Sequence, residues 1–599
     1  MTGESPREVR AARAGAELSA AGILLVAGWF ALATGLGEVA LHAFRKLVLQ
    51  RYLLDVSLHA GWMAPLANML VFAIPALVLI VVRRVWPARV TVSFAVVAYA
   101  FLAVLPPFII FDKLHGLAVT VLAAGLALQA GRIVRDHSHA FLAFARRSIY
   151  WMSAAVVLLA AAVTLYPIIA ERRAIAALPG APVNAPNVLL IVLDTVRALS
   201  LSLYGYDRPT SPNLARLAAR GVRFDRAFVT APWTLPSHAS LLTGHHPHET
   251  NVSFTVGLDS KLPTLATVLS RRGYQTAGFV ANGHYTGWES GFTRGFSRYE
   301  DRQVSMGQML SQSSVILALS RSRLASAIGY HQQLGRKHAA EVGAAMLRWQ
   351  RRTEGRPFFA FLNYLDAHAP YLPPVQFRRL FGQDAASRTP LLIRNLDLPA
   401  VWPTPQLRLE RDAYEQAIAA LDHSVGQLLD SLESRGVLDN TIVIVTSDHG
   451  EEFGEHGKLG HGRTLHTQAL WVPLLITGGS LVPGGVTVTD PVSLRDVPST
   501  VTAILSPGNP SPFPGVSLTR FWTSFGANQS AEPIPVFSTS LGKKSVVSGR
   551  YHYIRDASGG ELLYDIMSDP EELTDLGPTR EGNRVIQRLR PVLASYGRG

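Results

Sequence analysis

Apolar residues are arranged in two ways along this chain, and the change falls near residue 175. Before it, uncharged runs at 18–37, 60–82, 90–111, 114–131 and 148–170 approach or exceed the ~20 residues that a helix needs to cross a hydrocarbon core. The fourth run is the shortest and holds His115. A single run at the N-terminus would read as a cleaved signal peptide, but four further runs predict a multispanning helical domain over 1–175. A Pro/Gly/Ala linker follows at 176–186, and beyond it the apolar residues come in short blocks. NVLLIVLD (187–194), PFFAFLNYLD (357–366) and TIVIVTSD (441–448) are continuous apolar runs closed by an acid, the form of buried parallel strands. SPNLARLAARG (211–221), with a glycine stop, and AYEQAIAALDHSVGQLLDSLESRG (413–436) carry helical patterns between them. Alternating strands and helices predict an α/β domain with a mostly parallel central sheet covered on both faces. The segment around 302–345 has little pattern; it reads as a substrate-specific or membrane-facing insertion, or as simple surface helices.

At 599 residues the chain has room for at least two domains. Its hydrophobic content of 48% and mean hydropathy of +0.19 are concentrated in the first third. The net charge of +13 comes without the basic stripe interleaved with aromatics that a single-strand binder requires, so nucleic acid is not an expected partner. Many basic residues instead flank the apolar runs. Arg7, Arg10 and Arg13 precede the first, Arg83, Arg84 and Arg89 separate the second from the third, and Arg132, Arg135, Arg146 and Arg147 separate the fourth from the fifth. The loop between the third and fourth carries only Lys113, while Arg45, Lys46 and Arg51 on the first outer loop run against the pattern. The positive-inside rule then sets the N-terminus in the cytoplasm. Five spans put everything after about residue 172 on the extracytoplasmic side of a plasma or inner membrane; four would leave it inside. The absence of cysteine excludes disulfides, thiolate zinc sites and cysteine nucleophiles.

In sheets of this kind, ligands bind beyond the carboxyl ends of the strands. Asp194, Asp366 and Asp448 all stand at that edge, and three acids on one edge predict a metal or cationic site. Asp448 and His449 offer one oxygen and one nitrogen of the kind divalent metals accept, although Asp-His-Gly is also common in plain turns. Asp194 reads equally as a helix cap. His368 follows Asp366 in a Pro-rich turn at the same edge. Thr234 lies in APWTLPSHASLLTG (231–244), where Pro236 fixes one backbone angle and Ser237 is suited to cap a helix starting at His238. A hydroxyl just before a helix N-terminus faces unpaired N–H groups that favour an anion; a threonine in a capped turn is the plainer alternative.

NVLLIVLDTVRA, YGYDRPTSPNLARLAARGVRF, TLPSHASLLTG, FFAFLNYLDAHAPY, SDHGEEFGEHGKLGHGRTLH and GRYHYIRDASGGELLYDIMSDPEELTDL follow one another over roughly 187–570. In this order they resemble the sulfatase family of the alkaline-phosphatase superfamily. The resemblance implies an alkaline-phosphatase-like catalytic domain over 187–530, completed by a small C-terminal subdomain over 531–599. It also implies a divalent metal ion (manganese, magnesium, zinc or calcium) and a nucleophile that attacks a phosphate or sulfate ester. By motif, Asp194, Thr234, Asp448 and His449 fall on metal-ligand positions, and Thr234 also falls on the nucleophile position. His238 replaces the usual arginine of the Cys-x-Pro-Ser-Arg signature. His368 and His461 match positions that contact the non-bridging oxygens of the ester. The candidate catalytic set is therefore Thr234, His238, His368 and His461.

Several positions depart from the family pattern. Thr195 stands where many calcium sulfatases have a second aspartate, and His449 where they often have asparagine. Leu199 and Ser200 stand where relatives often have Asp-His. The set of one acid, a nucleophile and an Asp-His pair looks more like the single-metal phosphonate monoester hydrolases and lipoteichoic acid synthases. The latter, like phosphoethanolamine transferases, join five spans to an external domain and use threonine. Type I sulfatases oxidise cysteine or serine to formylglycine, whereas threonine would give a ketone at best. Thr234 is therefore expected to act as a metal-activated alkoxide, through a phospho-threonine resolved by water or an alcohol. The resemblance thus implies phosphoryl chemistry, with the lipid bilayer and a phospholipid or glycan ester as partners. A sulfuric-ester hydrolase and a non-catalytic protein that keeps the fold are the alternatives.

Overall fold

Where the sequence carries long apolar runs, the computed structural model has five helices: α1 (Ala20–Leu47), α2 (Ala60–Val85), α3 (Val92–Phe111), α4 (Gly116–Asp136) and α5 (Ser138–Ala176). Each is long and apolar enough to cross a bilayer. The structure describes residues 17–111, 113–330, 333–353, 355–382, 384, 404–523 and 534–597. Arg7, Arg10, Arg13 and the expected subdomain boundary at 530/531 lie outside the described residues. The helices overrun the apolar runs. Arg45 and Lys46 occupy the last turn of α1 rather than a loop, where cations complement the helix dipole. Arg132 and Arg135 lie in α4 and Arg146 and Arg147 in α5, with His137 alone between the two helices. The stretch 132–147 contains neither glycine nor proline, so the helices run on through its arginines and break only at His137, which caps α4 outside the helical region (φ −126°, ψ 27°).

The chain divides into two units, 1–169 with 303–336, and 170–302 with 337–599. Unlike the contiguous blocks expected from the sequence, the division is discontinuous. In the first unit Val26, Ala31, Phe72, Ala76, Val96 and Tyr99 form a core among α1, α2 and α3. Gly35 lets α1 approach α2 closely: a Cβ there would meet the backbone of Pro65 at 2.4 Å. Residues 303–336 join this unit through three short helices, Met306–Ser311, Ser314–Ser320 and Arg323–Ala327. The first packs on α2 and the second on α3. They meet a buried acid, Glu38 of α1, which accepts hydrogen bonds from Asn68 Nδ2 (2.7 Å) and the Ser314 backbone N–H (2.9 Å). Ser57 N donates to Gln312 Oε1 at 2.9 Å, and Arg321 pairs with Asp55 at 2.8 Å.

The second unit is built on a nine-stranded sheet. Its strands are β1 (Asn187–Leu193), β2 (Gly221–Phe228), β3 (Gln275–Val280), β4 (Arg298–Glu300), β5 (Phe358–Tyr364), β6 (Thr441–Thr446), β9 (Trp471–Thr477), β10 (Val486–Val488) and β11 (Val492–Ser493). A small ribbon, β7 (Glu452–Phe453) with β8 (Leu459–Gly460), stands apart from it. The strand order is β10-β2-β9-β6-β1-β5-β3-β4, with β11 also on β2. Only β9 runs against the others, so the sheet is mostly parallel, as expected. The three acid-closed runs are the three central neighbours β6, β1 and β5, and nearly every residue in them is buried. Burial along their whole length goes with strands that are apolar throughout rather than alternating. Leu189, Ile191 and Leu193 of β1 pack with α8 (Ala339–Gln350) and α9 (Thr404–Glu433). Helices α7 (Thr234–Thr243) and α10 (Val497–Leu505) pack together elsewhere in the unit.

Gly221 does not stop a helix, as its position suggested. Helix α6 (Pro212–Ala218) ends earlier and Gly221 opens β2, because a Cβ there would meet the Ile476 carbonyl oxygen at 2.3 Å. The C-terminal part is an antiparallel sheet of β12 (Val536–Ser540), β13 (Lys543–Ser548), β14 (Tyr551–Arg555) and β15 (Glu561–Asp565). Helix α11 (Arg580–Ser595) covers it through Val585, Ile586, Leu589 and Leu593.

Candidate active site

Because β1 and β6 are parallel neighbours in register, the residues just past their ends meet. Asp194 follows β1 directly, and Asp448 and His449 follow β6 after Ser447. Asp194, Asp448 and His449 each offer a ligand atom within 4.8 Å of the others, and all three are buried. Between the two acids Thr195 turns the chain with a left-handed backbone (φ 64°), and its N–H donates to Asp448 Oδ1 at 3.2 Å.

Thr234 enters from a third element. Helix α7 begins at Thr234, with Trp233 as its N-cap and no side-chain cap. Ser237 is therefore not the cap, and the helix does not start at His238. Pro236 sits in the first turn, where its missing N–H costs nothing. Ser237 instead donates its hydroxyl to the Asp448 carbonyl at 2.6 Å, which ties α7 to the β6 edge. Thr234 Oγ1 lies 3.2 Å from His449 Nε2.

Several buried polar atoms of this cluster lack a hydrogen-bond partner, His238 Nε2 and one oxygen of each acid among them. Asp194 Oδ2 accepts from Asn282 Nδ2 (2.8 Å) and Asn363 Nδ2 (3.2 Å), yet Asp194 Oδ1 and Asp448 Oδ2 are buried without a hydrogen-bond donor. His449 Nδ1 faces the Gly450 carbonyl at 3.0 Å. A carbonyl only accepts, so Nδ1 carries the proton and Nε2 presents its lone pair towards Thr234 and Asp448. Burial, and then repulsion from Asp194, hold the Asp448 carboxyl well above the usual range. Burial also pushes Asp194 up, but His368 and His449 outweigh it and leave Asp194 below its ordinary value. Burial, and then His461, lower His449 to about 3, so its ring is neutral near pH 7. Two orphaned carboxylate oxygens, one imidazole lone pair and one hydroxyl make a donor set that fits a divalent cation.

His461 and His368 border the same cluster. The His461 ring lies 4.2 Å from that of His449 and 5.3 Å from that of His368, centre to centre. His461 Nδ1 is held by Glu451 Oε1 at 2.8 Å, and burial lowers its pKa to about 4. Burial raises Glu451 to about 7, and Tyr371 donates to its other oxygen at 2.9 Å. His238 borders both acids of the set. Fully buried, it directs Nδ1 to the Thr234 carbonyl at 2.8 Å, with Asp448 Oδ2 at 3.5 Å. It is thus positioned to orient Thr234 and Asp448. Asp366, expected at this edge with the other acids, pairs with His338 at 3.4 Å instead. Ser200, one of the two departures from the relatives' pattern, is buried and accepts from Arg197 Nε at 2.9 Å. Arg197 in turn bonds Glu455 Oε1 (2.6 Å) and the Glu451 carbonyl (3.0 Å).

Sequence reasoning missed Asn282 and Asn363. The signal was there for Asn363, the one amide inside an otherwise apolar strand. It also missed an aromatic wall: Trp233 packs on His461 (5.2 Å), Phe254 (4.7 Å) and Tyr285 (5.3 Å).

A second histidine cluster has a different character. Glu572, buried and in a left-handed backbone conformation (φ 58°), accepts from Thr467 N (3.0 Å), His466 Nδ1 (3.2 Å) and His552 Nδ1. His456 stacks on His466 at 3.6 Å with rings 9° from parallel. Parallel rings hold their lone pairs side by side rather than convergent, and both carboxylate oxygens are taken. This group braces the segment after β8 to the C-terminal part rather than forming a ligand set.

The sulfatase family model matches residues 186–506, more than half of the chain. The chain is 26% identical over 447 residues to a choline-sulfatase of Rhizobium meliloti (strain 1021), which covers 66% of this chain and 83% of that protein. To an arylsulfatase of Clostridium perfringens (strain 13 / Type A) it is 24% identical over 454 residues, covering 68% and 93%. Among solved structures, the phosphonate monoester hydrolase of Agrobacterium radiobacter superposes with a TM-score of 0.54 at 23% identity, over 68% of this chain and 95% of that one. The acid-closed central strands, the Asp-Thr-Asp-His cluster and these matches agree: the chain belongs to the sulfatase family, hydrolases of the alkaline-phosphatase superfamily.

Proposed function

We propose that this protein is a membrane-anchored, metal-dependent enzyme that cleaves or transfers phosphate esters of envelope lipids or glycans, with Thr234 as nucleophile. The observation that supports this most is the approach of Thr234 Oγ1 to His449 Nε2 at 3.2 Å, beside two buried carboxylate oxygens that lack donors. A divalent cation held by Asp194, Thr234, Asp448 and His449 would neutralise charge on the ester oxygens and lower the pKa of the hydroxyl. Thr234 Oγ then bonds to phosphorus as the bond to the departing alcohol breaks with its electron pair. The threonine proton ends on that alcohol, and His461, fixed by Glu451, would carry it. Water or an acceptor alcohol next attacks the phospho-threonine, the Oγ–P bond breaks, and Thr234 regains its proton. His368 would contact the ester oxygens, while His238 keeps Thr234 and Asp448 in position.

The five helices would cross a plasma or inner membrane with the N-terminus inside, which puts the sulfatase domain on the extracytoplasmic side. Residues 303–336 favour that arrangement. They bond to Asp55 and Ser57 in the α1–α2 connection, and a chain segment reaches only the face on which its flanking sequence emerges.

A sulfuric-ester hydrolase is the second reading, favoured by the sulfatases among the relatives. The test is an assay of phosphodiester, phosphonate and aryl-sulfate esters with wild type and Thr234→Ala, joined to intact-mass measurement of the quenched enzyme. A phosphoryl adduct on Thr234 supports phosphoryl chemistry; turnover of sulfate esters alone sinks it.

A further inference from the structure

Residues 304–328 are inside out for a segment in water. Their polar side chains point inward: Gln308, Ser311, Gln312, Ser313 and Ser314 are all buried. Five large apolar side chains point outward: Val304 is 61% exposed, Met306 65%, Leu319 57%, Leu324 69% and Ile328 77%, while Val315 is buried and Met309, Leu310, Ile316 and Leu317 are half-buried. A soluble surface helix shows the reverse pattern, and contiguous exposed apolar groups mark an interaction surface. The inward polar groups account for themselves, because they meet Glu38, Asn68, Asp55 and Ser57 of the five-helix unit. Among the described residues the outward ones have no such partner.

The position of the polar contacts identifies what covers the apolar side. Counted from Ala20, Glu38 lies 18 residues along α1, and Asn68 lies 17 residues from the other end of α2 at Val85. At 1.5 Å per residue, each is ~26 Å from the basic, inner ends of the helices. A hydrocarbon core is ~30 Å thick, so the level at which Ser313 and Ser314 bond is the outer boundary of the acyl chains. The base of the segment is held as well: Lys337, 2% exposed, pairs with Glu300 at 3.0 Å, just outside its two ends.

We propose that residues 304–328 lie in the outer interfacial layer of the bilayer. Met306, Leu319, Leu324 and Ile328 enter the acyl chains there, and Arg321, paired with Asp55, sits at the headgroup level. The partner is a lipid surface, and the segment is a lipid-contacting element inserted into the sulfatase-domain sequence. This rests on reading α1–α5 as membrane spans, and the experiment separates the two.

The chain contains no cysteine, so single-cysteine variants of the full protein need no background changes. Leu319→Cys, Leu324→Cys and Ile328→Cys would be labelled with bimane and reconstituted in phosphatidylcholine nanodiscs, with or without brominated acyl chains. Leu77→Cys, exposed on α2, is the span control, and Val256→Cys, exposed in the other unit, is the aqueous control. The expected result is a loss of about half the fluorescence with brominated lipid at the three insertion sites and at Leu77, and none at Val256. Quenching at Leu77 without quenching at the insertion sites overturns this proposal and leaves the spans intact. No quenching at Leu77 overturns the span reading, and this inference with it. Iodide in the buffer, which quenches only water-exposed labels, must reach Val256→Cys more than Leu324→Cys; equal access sinks the proposal.

Discussion

The two histidine–carboxylate clusters of the sulfatase unit combine the same kinds of group, imidazole and carboxylate, but differ in how their acids are satisfied. Around Glu572, three donors satisfy one buried carboxylate. Around Asp194 and Asp448, two buried carboxylates share a pocket, and each keeps one oxygen without a donor. A buried acid with full partners stabilises a fold, while an unpaired one destabilises it until a cation arrives. The cluster that leaves its acids unpaired is the one suited to chemistry, and composition alone would not distinguish the two.

The sharpest way to separate them is Thr234→Ala. It removes a hydroxyl from the first cluster, and turnover is expected to fall by about a thousandfold or more. Because that hydroxyl contributes little to packing, urea unfolding should shift by less than about 1 kcal/mol. A variant that keeps most of its activity would break the comparison at its root.

Glu572→Gln should do the opposite, with a large loss of stability. Burial pushes the Glu572 carboxyl up, but His552 and His466 outweigh it and hold it at about 2, against an ordinary 4.5. A depressed acid stabilises the fold above its unfolded pKa and loses that contribution as pH falls through the folded one. The stabilisation should therefore be complete above pH 4.5 and disappear towards pH 2. Its size is about 3 kcal/mol, read as the wild-type minus variant difference in urea unfolding at pH 7, which should shrink in acid.

A smaller effect tests the supports of the first cluster. Asn282→Ala or Asn363→Ala removes a donor to Asp194 Oδ2 and should weaken metal binding about 10- to 100-fold, measured by titrating the metal-stripped protein. Smallest is Ser200→Ala. It leaves Arg197 Nε without its acceptor, at a cost of about 1–2 kcal/mol in denaturant unfolding. A loss of metal binding from Ser200→Ala would show that the Arg197 brace belongs to the active cluster and not to the framework.

Much of this architecture was legible because it is written in local pattern. A continuous apolar run closed by an acid reads as a central strand with its acid at the ligand edge, and β1 and β6 meet that expectation with Asp194 and Asp448. Asp366, the same pattern on β5, turns to His338, since the side chain at a strand end follows its nearest partner rather than the sheet. Ser237 was misread for a similar reason: a serine after proline is a good cap in isolation, but the Asp448 carbonyl, 211 residues away, holds its hydroxyl. Asn282 and the home of residues 303–336 depend on contacts between distant parts of the chain, which no short window contains. Helix ends failed where charged residues flanking the apolar runs were taken for loop, although between 132 and 147 the helices break only at His137.

The contact between Glu38 and the Ser314 backbone also has a consequence in time. These residues are 276 positions apart, and a ribosome adding ~5–20 residues per second needs about 14 to 55 s to travel between them. For that interval the first two helices hold an acid whose backbone partner has not yet been synthesised. Assembly of the first unit therefore finishes only after residues 170–302 of the second have been translated, and a chain truncated before residue 314 would leave buried Glu38 with Asn68 but without its backbone donor.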